Sequence, residues 1–129
     1  MKNNQQKRIL IIEGNKALND TLVNKLKRED FNVEESSNGK EGLELCYNSH
    51  PDLILLDMEA PIINGHEFME HLREDTWGKN AKVIILSNIS MKHGEIAKTV
   101  IQKDPIAFLV KSSTKLRDLI EYVHYAFKD

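Results

Sequence analysis

Four short apolar runs in this chain each finish in a side chain able to do chemistry. RILIIE (8–13) ends in Glu13, DLILLD (52–57) in Asp57, KVIILS (82–87) in Ser87 and IAFLVK (106–111) in Lys111. Two carboxylates suit a hard cation such as Mg2+; a lysine and a hydroxyl suit a phosphoryl group. An ionised carboxylate at the end of a buried run is costly unless something stabilises it. Asp57 follows four consecutive apolar residues, Leu53 to Leu56, so it calls for a cationic neighbour. Lys111 alone reads as a surface lysine. In the company of Asp57 and Ser87 at the ends of apolar strands, it reads as that neighbour.

Positioning four such residues at one edge requires a particular architecture. The run at 8–13 is mostly apolar and β-branched, as in a strand buried on both faces, and the runs at 52–57, 82–87 and 106–111 read as further strands. FNVEES (31–36) is a shorter alternating strand. Helical patterns lie between them. Leu18, Leu22 and Leu26 recur at i, i+4 and i+8 with charges on the other side. KEGLELCYN makes a second helix after the Asn38-Gly39 turn, and HEFMEHLRED a third after Pro61 and Asn64-Gly65. A fourth is expected in the second part of 88–104, weakened at its start by Gly94. Pro105 resets the chain for the fifth strand. The last helix has Ser113 or Thr114 as its expected cap and Leu116, Leu119, Ile120, Val123 and Phe127 on one face. Strands alternating with helices call for a parallel sheet covered on both sides. In such sheets ligands bind beyond the carboxyl ends of the strands, where Glu13, Asp57, Ser87 and Lys111 fall.

The remaining composition excludes several classes. A net charge of −2 gives no electrostatic case for nucleic acid. No apolar run reaches membrane-spanning length. Met1 to Lys7 is polar, reads as a disordered lead rather than a signal peptide, and leaves 8–129 as one domain. A single cysteine, Cys46, forms no internal disulfide, reads as a small buried hydrophobe, and fits a reducing cytoplasm. HEFMEH (66–71) is one residue too long for the zinc motif H-E-x-x-H, because histidines five apart point about 140° apart on a helix. It reads as a solvated face. Trp77 reads as partial cover for the core.

Several segments occur in a telling order: ILIIEGNKAL with its acidic strand end, SNGKEGLEL, LILLDMEAPIINGHEF with Asp57, Pro61 and Gly65, VIILSN, and FLVKS. From about residue 7 onward they resemble the receiver domain of two-component response regulators. The resemblance implies a flavodoxin-like, doubly wound (βα)5 sandwich with five parallel strands in the order 2-1-3-4-5. It implies that Asp57 is the phosphoacceptor, taking a phosphoryl group from a sensor histidine kinase or a histidine phosphotransfer protein. Ser87 and Lys111 would bind phosphoryl oxygens, and Phe108 would switch rotamer as Ser87 moves. Glu13, Asp57 and the backbone carbonyl of Glu59 would be the Mg2+ ligands, with the Glu59 side chain overlooking the site. Output would pass to a downstream protein, or to a second copy in a homodimer, through the face of the fourth helix, fifth strand and fifth helix. No separate enzymatic output domain, nucleic-acid contact or membrane contact is expected.

The chain departs from that pattern after its first strand. Two adjacent acids are usual there, and Glu13-Gly14 stands in their place. Gly14 supplies no carboxylate, so the Mg2+ site is expected to be weak; Asn15 is another candidate oxygen donor. Asn88 follows Ser87 where a small residue is usual, and Ser112 follows Lys111 where proline is usual. The Glu13-Gly14 pair keeps a second reading open: a pseudo-receiver, an interaction module that signals without phosphorylation. A third reading, a flavodoxin-like FMN carrier, lacks a phosphate-cradling loop after the first strand.

Overall fold

The computed structural model describes residues 6–88 and 102–128. Its strands are β1 (Arg8–Ile12), β2 (Asn32–Ser36), β3 (Leu53–Asp57), β4 (Val83–Ser87) and β5 (Ala107–Val110). The described helices are α1 (Lys16–Arg28), α2 (Gly39–Ser49), α3 (Gly65–Glu74) and α4 (Leu116–Ala126). Here α4 is the expected last helix. The fourth helix expected within 88–104 lies largely outside the described residues. The five strands form one parallel sheet in the order β2-β1-β3-β4-β5, as expected.

The period-2 geometry of a strand explains why the apolar runs are continuous. Alternate residues enter two separate cores. Ile9, Ile11, Leu53, Leu55, Ile84, Leu86 and Leu109 meet Leu22, Val23 and Leu26 of α1 and Leu119, Ile120 and Val123 of α4. Leu10, Ile12, Ile54, Leu56, Val83 and Ile85 meet Cys46 of α2 and Phe68, Met69 and Leu72 of α3. Truncating a fully buried member such as Leu55 to alanine costs about 2–5 kcal/mol. β2 lies at an edge of the sheet, and Asn32, Glu34 and Glu35 remain exposed. Trp77 is half-buried against the second core and stacks on His50, with ring centroids 4.5 Å apart.

Three helices start at the carboxyl edge of the sheet in the same way. Asn15, Asn38 and Asn64 accept the N–H groups of Leu18, Glu41 and Glu67 at 2.9, 2.8 and 3.0 Å. Each such cap is worth about 1 kcal/mol over alanine. Asn15 is therefore a helix cap, its Oδ1 accepting the Leu18 N–H. The expected cap of α4 is also corrected. Lys115 holds that position without a side-chain bond. Residues Lys111–Ser113 form a 3-10 turn, which carries the Thr114 hydroxyl back to the carbonyl of Val110 at 2.8 Å. Ser113 makes a longer bond, 3.4 Å, to the same carbonyl.

Arg73 near the end of α3 binds two other stretches of backbone, 78–81 and 103–104. Its guanidinium donates to the carbonyls of Lys103 at 2.7 Å, Gly78 and Ala81 at 2.8 Å, and Asp104 at 3.1 Å. This fan of donors ties α3 to the chain entering β4 and β5.

Candidate functional site

Asp57 is the last residue of β3 and is 4% exposed. The parallel register brings β1 and β4 to either side of it, so residues after those strands converge on its carboxylate. Lys111 is the first residue beyond β5, in the 3-10 turn rather than in the strand. From there its Nζ reaches Asp57 Oδ1 at 3.2 Å and Glu13 Oε2 at 3.0 Å. Glu13 follows β1 and is 1% exposed. The three charges, drawn from residues up to 98 apart in sequence, thus form one buried triad.

Backbone N–H groups complete the cradle. Gly14 N–H donates to Asp57 Oδ2 at 3.2 Å and Glu59 N–H to Oδ1 at 3.0 Å. Asn15 N–H donates to Glu13 Oε2 at 3.0 Å. Burial pushes the Glu13 carboxyl above its usual value; the Asn15 N–H and Lys111 oppose that shift and Asp57 adds to it. For Lys111, burial works against the ammonium, but bonds and charge from Glu13 and Asp57 outweigh it and raise its pKa. The lysine is thereby held charged between two carboxylates.

Two carboxylates and one ammonium leave a net charge of −1 in the triad, and only Glu13 Oε1 among its oxygens is buried without a hydrogen-bond partner. A buried, unpartnered carboxylate oxygen beside a second carboxylate fits a hard cation. The donor set is small, however. Gly14 adds no side chain, and among the described residues no group of three or more His, Cys, Asp or Glu side chains forms a metal cluster.

Ser87 ends β4, is fully buried, and lies on the same sheet face as Ile85. Its hydroxyl donates to Glu59 Oε2 at 2.8 Å, and the next backbone N–H, of Asn88, donates to Glu59 Oε1 at 2.9 Å. Sequence reasoning placed the Glu59 side chain over the site but missed this double engagement. The signal available was its position two residues after Asp57. An Asx-type turn, with Glu59 N–H on Asp57 Oδ1 and Ala60 N–H on Asp57 O, carries it across to the neighbouring strand. Phe108, on β5, pairs in register with Ile85 and packs half-buried against the second core. It therefore sits one side-chain row below Ser87 on that face. His66 and His71 contact different glutamates, Glu70 and Glu67, each at 3.8 Å, so they do not converge on one ion.

Residues 9–124 match the family model for the response regulator receiver domain. The nitrate/nitrite response regulator protein NarL of Escherichia coli is 36% identical over 94 residues, covering 73% of this chain and 41% of NarL. Histidine kinase P4 of Formosa agariphila is 35% identical over 82 residues, covering 64% of this chain and 6% of that protein. The chain thus spans less than half the length of these relatives. A CheY-like response regulator receiver domain protein from Methanospirillum hungatei superposes with a TM-score of 0.85 at 26% identity, over 94% of this chain and 93% of that one.

Proposed function

The chain belongs to the response regulator receiver domain family, and on that premise we propose that it is a phosphoacceptor switch in two-component signalling. Asp57 takes the phosphoryl group from a phosphohistidine of a sensor kinase or a phosphotransfer protein. A carboxylate oxygen of Asp57 attacks phosphorus, the P–N bond breaks, and the histidine nitrogen leaves to recover a proton. The observation that carries the reading is the Lys111 ammonium, 3.2 Å from Asp57 Oδ1. It lies against the proposed nucleophile and offers charge to the transferring group. The Ser87 hydroxyl at the adjacent strand end supplies a second phosphoryl contact.

Glu13, Asp57 and the backbone carbonyl of Glu59 would hold Mg2+, which when bound neutralises charge on the transferring phosphoryl group. The buried, unpartnered Oε1 of Glu13 supports that assignment. Output passes through protein contacts on the side of β5 and α4, with Phe108 coupling Ser87 to that face. The exposure of Tyr122 and Tyr125 on α4 supports it as a contact surface for a downstream protein or a second copy. Among the described residues no helix is long and apolar enough to cross a membrane.

Intact-mass analysis after treatment with acetyl phosphate and Mg2+ tests the reading. A gain of one phosphoryl group is expected in the wild type and not in Asp57→Asn. A gain that persists in Asp57→Asn refutes Asp57 as the acceptor. The pseudo-receiver alternative is favoured by Gly14, which withholds a metal-ligating carboxylate. No gain in the wild type with acetyl phosphate or a phosphorylated kinase would select it.

A further inference from the structure

Two donors at the end of β4 are engaged by one carboxylate of the same chain. The Ser87 hydroxyl donates to Glu59 Oε2 at 2.8 Å and the Asn88 N–H to Glu59 Oε1 at 2.9 Å. A carboxylate carries two acceptor oxygens and negative charge, as does one edge of a phosphoryl group. Glu59 is delivered there by the turn after Asp57, whose Oδ1 accepts the Glu59 N–H at 3.0 Å. The nucleophile and the carboxylate are thus held by a single two-residue turn. We propose that Glu59 is an internal latch, a resident carboxylate that holds the Ser87 and Asn88 donors and must swing away before a phosphoryl group on Asp57 can use them.

The proposal rests on the phosphoacceptor reading and adds a regulatory residue to it. Two effects oppose an incoming oxyanion at this seat. Its donors are already engaged in charge-assisted bonds, and the Glu59 charge repels it at short range. Before phosphorylation, the latch also fixes the end of β4 through a contact that the phosphoryl group would otherwise make. Glu59 acts through Ser87 and Asn88, so it is a positioning residue. Substituting its side chain leaves the backbone carbonyl assigned to Mg2+ in place.

The test uses the full chain with Mg2+ and beryllofluoride as the phosphoryl-like probe. Calorimetry compares the wild type, Glu59→Ala and Glu59→Gln, with Asp57→Asn as the control for site. Amide exchange at Asn88 is read without any probe. Losing a pair of charge-assisted bonds corresponds to about tenfold or more in affinity. Glu59→Ala is therefore expected to bind beryllofluoride about tenfold more tightly than the wild type, with faster exchange at Asn88. Glu59→Gln, which keeps an acceptor but loses the charge, is expected to fall between them. Binding that needs Asp57 but is equally tight in the wild type and Glu59→Ala overturns the latch and leaves the phosphoacceptor reading intact. Absence of Asp57-dependent binding in every variant, with Asn88 exchange still faster in Glu59→Ala, removes the phosphoacceptor reading and the competition built on it. The clasp between Glu59 and β4 would then be structural.

Discussion

Gly14 donates its backbone N–H to Asp57 Oδ2 at 3.2 Å. The residue that withholds a carboxylate from the proposed Mg2+ site therefore supplies a hydrogen bond to the proposed phosphoacceptor. A Cβ at position 14 would lie 3.6 Å from Asp57 Oδ2 and 3.1 Å from Pro61 Cδ. Gly14→Asp would thus bring a third carboxylate beside Asp57 and press on the Pro61 ring. Without metal it should be less stable than the wild type, by about 1 kcal/mol or more from like-charge repulsion. With Mg2+ the added ligand should tighten binding by roughly tenfold, through the charge it adds. Calorimetric Mg2+ titration and urea unfolding of both proteins check the two signs. Equal Mg2+ affinities would show that position 14 does not contribute to the site.

Lys111 bridges Glu13 and Asp57, and its removal leaves two buried carboxylates facing each other. Lys111→Met is expected to destabilise the protein by about 1–3 kcal/mol, the cost of stranding charged groups that lose their bonds. Its partial exposure, 16% of the side chain, keeps the loss below that of a fully buried pair. Urea unfolding at neutral pH reads this directly. Phosphorylation by acetyl phosphate should fall in the same variant, whereas a surface-lysine role would leave it unchanged.

Glu29, beyond the end of α1, contacts His124 Nε2 at 2.9 Å and Lys25 Nζ at 3.3 Å. The bond to His124, then that to Lys25, lowers the Glu29 carboxyl below its usual 4.5. A depressed carboxyl contributes stability above its unfolded pKa, and that contribution is lost as pH falls through the folded value. Glu29→Gln should therefore be slightly less stable than the wild type at neutral pH. The gap in urea midpoint should close as pH drops below 4.5. A gap that stays constant across this window would remove Glu29 as its source.

Cys46 is fully buried against the second core, and burial, aided by the charge of Glu34, pushes its thiol up to about 12. At pH 8 the thiolate fraction is then roughly one in ten thousand, well below that of an ordinary cysteine. A thiol reagent should leave the native protein unlabelled and modify it in urea, with labelling tracking the unfolding transition. Rapid modification of the native protein would contradict this burial.

The sequence alone determined the strands closely, and for a specific reason. Each central strand is buried on both faces, so its residues must be apolar without interruption, and the first polar residue marks its end. Glu13, Asp57 and Ser87 became legible through that boundary, and Lys111 through the end of the apolar run that forms the edge strand β5. Their convergence at one edge followed from the parallel order. The α1 stripe of Leu18, Leu22 and Leu26 was legible because helical periodicity is local. What remained hidden depended on a few ångströms of side-chain reach. That Asn15 caps α1 became visible only in its bond from Leu18 N–H at 2.9 Å. Whether Ser113 or Thr114 would cap α4 was decided by the 3-10 turn after β5, which sends both hydroxyls back to Val110. Glu59 shows the difference most clearly: its place two residues after Asp57 is local, but its hold on Ser87 and Asn88 joins groups 28 and 29 residues away. Only the packing of β3 beside β4 brings those donors within reach of its carboxylate.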